Sequence, residues 1–219
     1  LRRQRQMCIR DSYHIQHRTE VAGFMTILHG DDRFYNNIFV QNWSVEKAGS
    51  ETVVDRAPED TEQVGTNGFD DYPTYAEWQA QFQALDGTIA KETDMNDLMS
   101  AHFGHLPIWA AGNVYFNGAK AWKKETDNVV NTQDQVTIEL VDNEGQTSLR
   151  TNLYDFLTLH DGVITTTMLG EAFEPEQRYE MPDGSDITFD EDYFGNHRDI
   201  APLPGPFASK TAASAMLWR

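Results

Sequence analysis

The residues best suited to chemistry in this 219-residue chain gather near its start. Glu20 stands beside His17 and Arg18 in "HRTE", and Asp31, Asp32 and Arg33 follow in "HGDDRF". A histidine and an arginine beside a carboxyl can tune its pKa, and all three side chains can bond sugar hydroxyls. Adjacent aspartates followed by arginine could contact a hydroxylated substrate. With Ca²⁺ bound, they could also serve a lyase in which Arg33 is the base. Simpler roles compete: Glu20 as a surface carboxylate paired with Arg18, and Asp31 and Asp32 as caps of the turn before a strand at 34–40.

His14, His17 and His29 fall within sixteen residues, but their spacing matches no zinc pattern, so no metal site is expected. The run "DGSDITFDED" at 183–192 is rich in carboxylates without being an EF-hand loop, and reads as a solvated acidic turn. No cofactor is expected. Trp43 and Trp109 could stack on sugar rings at the rim of a groove or pack in the scaffold.

Acidic residues outnumber basic ones 35 to 17, for a net charge of -18. Residues 1–12, "LRRQRQMCIRDS", hold four of the arginines and the only cysteine. Back-translated, the segment fits a common transposase adapter in frame. It is expected to be an adapter artefact, disordered and outside the fold. Without it the balance is 34 to 13, a net charge of -21, and no thiol remains for a disulfide, a zinc-thiolate site or a nucleophile. Such acidity argues against nucleic acid and anionic lipid as partners. No apolar run approaches the ~18 residues of a membrane span. A neutral ligand such as an oligosaccharide fits more easily than a polyanion. Compartment and homo-oligomerisation are left open.

The elements that must position these side chains are mostly short strands. "FYNNIFVQN" at 34–42 puts Ile38 and Val40 on one strand face and Phe39 on the other. A similar phrase returns as "AAGNVYFNGAK" at 110–120. Strands punctuated by Asn and Gly are the pattern of a β-solenoid, and the two phrases read as two coils of one stack. Between them, 44–71 is polar and acidic and reads as an exposed loop. Tyr75, Trp78, Phe82 and Leu85 then lie at helical spacing behind Pro73-Thr74, and a second short helix is expected at 93–104. Trp78 and Phe82 are expected to pack the first helix onto the solenoid, with sugar stacking as the alternative. From 134 onward the chain alternates as strands do, with Val136, Ile138 and Leu140 on one face and a turn at 143–145. "SLRTNLYDFLTL" and "GVITTTML" are expected to add further strands.

The phrases "HRTEVAG", "GDDRFYNNIFV", "GNVYFNGAKAW", "YEMPDGSDITFDEDYFGNHR" and "PLPGPF", in this order from Tyr13 to Phe207, resemble the C-terminal third of bacterial right-handed parallel β-helix carbohydrate-active enzymes. They are most similar to the family 120 β-xylosidases; the acidic stretch 44–71 has no counterpart there. The resemblance implies a mainly β fold: terminal coils of a right-handed parallel β-helix, a small helical insertion and C-terminal β structure. The expected divisions are coils at 13–43, an acidic loop and helical insertion at 44–104, a last coil at 105–133, a β region at 134–207 and a tail at 208–219.

The resemblance also implies a retaining glycosidase acting on xylo-oligosaccharides. Such enzymes use two carboxyl groups about 5–5.5 Å apart. The family has an Asp nucleophile one coil before a Glu acid/base. Glu20 is the position that matches the acid/base, with the nucleophile expected upstream of Tyr13, so residues 13–219 alone are expected to be inactive. His17, Arg18, Asp31 and Asp32 are expected to bind substrate. Asp31 and Asp32, 11 and 12 residues beyond Glu20, stand about half a coil away from it, unsuited to be its partner. A polysaccharide lyase and a non-catalytic carbohydrate-binding solenoid remain the alternatives.

Overall fold

The computed structural model describes residues 29–41, 63–83, 104–143, 146–158, 160, 162–172, 177–209 and 214–218. The expectations for residues 1–12, His14, His17, Arg18, Glu20, Trp43, Leu85 and the second helix over 93–103 lie outside the described residues. The fold is mainly β and falls into two compact units. One gathers the described residues within 29–33, 72–109 and 164–189; the other gathers those within 34–71, 110–163 and 190–218.

The second unit grows from a phrase used three times. Asn36-Asn37-Ile38, Gly112-Asn113-Val114 and Asp127-Asn128-Val129 open the strands β2 (Ile38–Val40), β4 (Val114–Phe116) and β5 (Val129–Val130). The first residue of each phrase has positive φ, at 55°, 70° and 54° respectively. Asn, Gly and Asp tolerate that conformation best. A Cβ on Gly112 would collide with Asn36 Oδ1, which explains glycine in the middle copy. The corner bends the chain from β1 (Arg33–Tyr35) into β2 and from β3 (Trp109–Ala111) into β4, so the single strand expected at 34–40 is split in two. β1 and β3 pair with each other, and Ala111 bridges Thr126 in parallel.

The three strands form one parallel sheet in the order β2-β4-β5, with Ile38 against Val114, Phe39 against Tyr115 and Val40 against Phe116. Period-two alternation then sorts the side chains. Ile38, Val40, Val114 and Phe116 face a core shared with Val136, Leu153, Tyr154, Leu157, Leu203 and Phe207. On the opposite face Phe39 stacks on Tyr115, ring centroids 5.0 Å apart. Behind the corner, fully buried Asn113 accepts from Asn37 N (2.8 Å) and Nδ2 (3.0 Å) and donates to Phe34 O (2.8 Å) and Glu125 Oε1 (2.7 Å). Tyr115 donates to Glu125 Oε2 at 2.5 Å, and burial followed by that bond pushes its hydroxyl pKa up.

Part of the expected acidic loop is not exposed. Gly65 bridges Lys120 in parallel, and Thr66 is wholly buried, its hydroxyl bonding Tyr115 and accepting from Trp122 N. Backbone pairing and one buried hydroxyl outweigh the polar composition of 63–66.

β6 (Ile138–Asn143) and β7 (Gln146–Thr151) form the expected hairpin, closed by the Asn143–Gln146 pair. Of its apolar face only Val136 is buried; Ile138 is 40% and Leu140 60% exposed. The stretch expected as a tail supplies a third antiparallel strand, β10 (Ser214–Trp218), in the order β10-β7-β6.

Residues 190–209 have little regular structure and are pinned by two side chains. Arg198 donates to Glu191 O, Leu203 O and Gly205 O. The Asp192 carboxylate accepts from Phe194 N, Asn196 N, Asn196 Nδ2 and Ala208 N at 2.8–3.1 Å. Partial burial opposes its charge, but these bonds prevail and hold its pKa down at about 2. A carboxyl depressed below the ordinary ~3.9 contributes stability above that value and loses it as pH falls toward the folded-state pKa. We expect the thermal midpoint to fall between about pH 4 and pH 2, and the Asp192→Asn variant to lose part of that slope. Identical acid limbs in the two proteins would contradict this.

In the first unit, α1 (Tyr75–Gln83) begins with a capping box. Thr74 N donates to Glu77 Oε2 (2.8 Å) and Glu77 N to Thr74 Oγ1 (3.3 Å). "GVITTTML", expected as a strand, instead carries the short helix α2 (Thr166–Leu169), capped by the Thr165 hydroxyl. Thr166 is drawn out of any ladder by bonds from its hydroxyl to Tyr179 O and from Ile187 N to that hydroxyl. β8 (Glu171–Ala172) and β9 (Gln177–Arg178) form a short antiparallel pair.

Candidate functional site

Three backbone hydrogen bonds lay the "HGDD" segment along 106–109: Leu106 N to His29 O (2.9 Å), Asp31 N to Pro107 O (2.8 Å) and Trp109 N to Asp32 O (2.9 Å). Gly30 and Asp31 both have positive φ, 126° and 63°. A Cβ on Gly30 would run into the Leu106 carbonyl, so only glycine lets the two segments approach this closely. Asp31 holds a sparsely populated conformation of the kind that clusters at functional sites.

Arg33 is the anchor of this group. Its side chain is only 5% exposed, and its guanidinium lies 4.0 Å from the Trp109 ring centroid and 4.8 Å from that of Tyr179. Nε donates to Leu169 O (2.7 Å), Nη2 to Glu171 O (2.7 Å), and Nη1 to Asp31 O (2.6 Å) and the Asp31 carboxylate. A guanidinium so committed cannot act as the base of a lyase, and its charge is already matched by Asp31.

Beside this clamp, Asp32 reaches the surface. Partial burial and the charge of Asp31 raise its pKa above that of an ordinary aspartate, against the opposing charges of Arg33 and His29. Tyr72 is raised by burial and by Asp32. Burial raises Tyr179 most; Arg33 opposes this, and Asp31 and Asp32 add to it. The same short-range fields therefore link Asp31, Asp32, Arg33, Tyr72 and Tyr179. Tyr72 stacks on His105 with centroids 4.0 Å apart.

Chemically, the group offers one aspartate tied to an arginine, one that holds its proton to higher pH, and the rings of Trp109, Tyr179 and Tyr72 nearby. That combination suits a neutral polyhydroxylated ligand: carboxyl oxygens for its hydroxyls and ring faces for its C–H surfaces. Among the described residues no group of three or more His, Cys, Asp or Glu gathers as a metal cage.

The structure thus joins Asp31 and Asp32 to Trp109; expected partners Glu20, His17 and Arg18 lie outside the described residues. Sequence reasoning missed Tyr72, His105 and Tyr179, and considered Arg33 only as the base of the alternative lyase. Only the recurrence of aromatics around 72–78 hinted at the first of these.

No family model matches the chain, and no curated protein matches it. A solved structure described as the complex structure of XylC with xylose is similar to it, with a TM-score of 0.61 and 25% sequence identity. The likeness covers 82% of this chain and 24% of that one. In fold, then, this mainly β chain is similar to about a quarter of XylC, a protein whose structure was solved with xylose.

Proposed function

We propose that the chain forms part of a glycoside hydrolase of β-xylosidase type that cleaves xylo-oligosaccharides by a retaining, two-carboxylate mechanism. The observation that carries this reading is the likeness to XylC with xylose over most of the chain. The in-register parallel stack β2-β4-β5 and its repeated corner support the terminal coils of a right-handed parallel β-helix, assigned to 13–43 and 105–133. The Asp31–Asp32–aromatic group supports contact with a neutral sugar.

In this reading Glu20 is the general acid/base, and His17 and Arg18 bind sugar hydroxyls or tune its pKa. A carboxylate on the neighbouring coil attacks the anomeric carbon while Glu20 gives its proton to the leaving oxygen. The Glu20 carboxylate then takes a proton from the water that opens the glycosyl ester. Strands stacked about 4.8 Å apart match the carboxyl separation of about 5–5.5 Å that such enzymes use. Asp31 and Asp32 contact the substrate, Asp32 as a hydrogen-bond donor over a wider pH range than an ordinary aspartate.

The test is the complete gene product assayed on a nitrophenyl β-xyloside. Glu20→Gln should lower kcat/KM by about 10²–10⁴-fold, with the parent activity indifferent to chelator. Full activity in Glu20→Gln overturns the assignment, and unsaturated, ultraviolet-absorbing products from an acidic polysaccharide would establish a lyase instead.

A further inference from the structure

The geometry points to a second sugar-stacking subsite, built by α1, that extends the Asp31–Asp32 site along a neutral oligosaccharide; it rests on the glycosidase reading above. From Arg33 a column of flat groups leads outward. The guanidinium lies on Trp109, Trp109 neighbours Tyr75 (centroids 6.0 Å, 29° between planes), and Tyr75 neighbours Trp78 (6.3 Å, 13°). Flat groups in contact have planes about 3.5–4 Å apart. Centroid spacings of 6.0 and 6.3 Å are those of offset rather than superposed rings. Tyr75, the middle ring of the row, is 44% exposed.

The row is held in place before any ligand arrives. Pro73 is buried and its carbonyl accepts from Ile108 N (3.2 Å), fixing the start of α1 beside Trp109. The Thr74–Glu77 capping box then sets the helix direction and with it the Tyr75 ring. An exposed aromatic ring suits the C–H face of a pyranose, whose hydroxyls point outward to solvent and carboxylates. The surrounding charge selects the class of sugar. Asp31, Asp32 and Glu77 are acidic and Arg33 is already paired, so a uronate would meet repulsion and a xylose-type sugar would not.

The row should therefore matter in proportion to chain length. Titration of the protein with xylose and xylotriose, followed by calorimetry and tryptophan fluorescence, separates the roles. Tyr75→Ala should weaken xylotriose about tenfold while changing xylose less than about twofold, and Tyr75→Phe should restore both. Trp78→Ala should act in the same sense, with unchanged thermal unfolding of Tyr75→Ala confirming an intact fold. Equal effects on both sugars, or none on xylotriose, would overturn the subsite while leaving the glycosidase reading standing. Absence of binding of either sugar by the unsubstituted protein would overturn both.

Discussion

Replacing Arg33 by alanine is expected to lower the unfolding free energy by about 3 kcal/mol, the low end for removing one partner of a buried charge pair, because Asp31 is partly exposed. The guanidinium bonds Leu169 O, Glu171 O and Asp31, and packs between Trp109 and Tyr179. Its loss removes the Arg33–Asp31 ion pair and the donors to Leu169 O and Glu171 O. It also opens a gap between two rings. Arg33→Lys keeps the charge but not the planar fork or the stacking, so it should recover only part of the loss. Urea unfolding with an unchanged m-value measures this directly. A change below about 1 kcal/mol for Arg33→Ala would mean that the clamp is ornamental.

The second large effect is expected at Asn113. Its side chain is fully buried among partly buried partners, and Asn113→Leu removes its bonds to Asn37 N, Phe34 O and the Glu125 carboxylate at once. About 3 kcal/mol or more should be lost, since each buried group left unsatisfied costs roughly 1–3 kcal/mol. Asn128 holds the same place in the third copy of the phrase, but it is half-buried and its side chain donates only to Glu125 O at 3.4 Å. Asn128→Ala should cost less than about 1 kcal/mol. Equal losses at the two positions would contradict the idea that the middle corner is the buried one.

The same corner marks how far the sequence could be read. "NNIFVQN" and "GNVYFNG" were legible as stacking partners because both combine Asn with an alternating apolar strand, and their strands do pair in register. The third copy, "DNVVN", escaped notice. Its strand is only two residues long and both valines are exposed, so no apolar pattern drew attention to it. The helix at 75–83 was legible through the spacing of Tyr75, Trp78 and Phe82 behind Pro73-Thr74, a local pattern. "GVITTTML" was misleading because three threonines favour strands by propensity, whereas their hydroxyls here cap a helix and bond Tyr179 and Ile187. Alternation at 136–140 predicted a face, but whether it is buried depends on neighbours that a local pattern does not contain.

At the candidate site the limits are similar. Asp31 and Asp32 could be found as paired carboxylates in a turn. Tyr72 meets His105, and Tyr179 meets Arg33, only through the fold, each pair joining distant stretches. Arg33 could be seen as a cation beside acids. Its burial, and hence its role as an anchor rather than a base, depends on carbonyls contributed by 169 and 171.

Residues 29–33, 72–78 and 105–109, with Tyr179, are proposed to hold a xylose-type sugar. Backbone amide resonances followed during titration with xylose test this most directly. Saturable shifts are expected at Asp31, Asp32, Tyr72, His105 and Trp109, with the β6–β7 hairpin unmoved, and their loss in Asp32→Ala. Saturable shifts confined to other regions, or no shift at any sugar concentration, would contradict it.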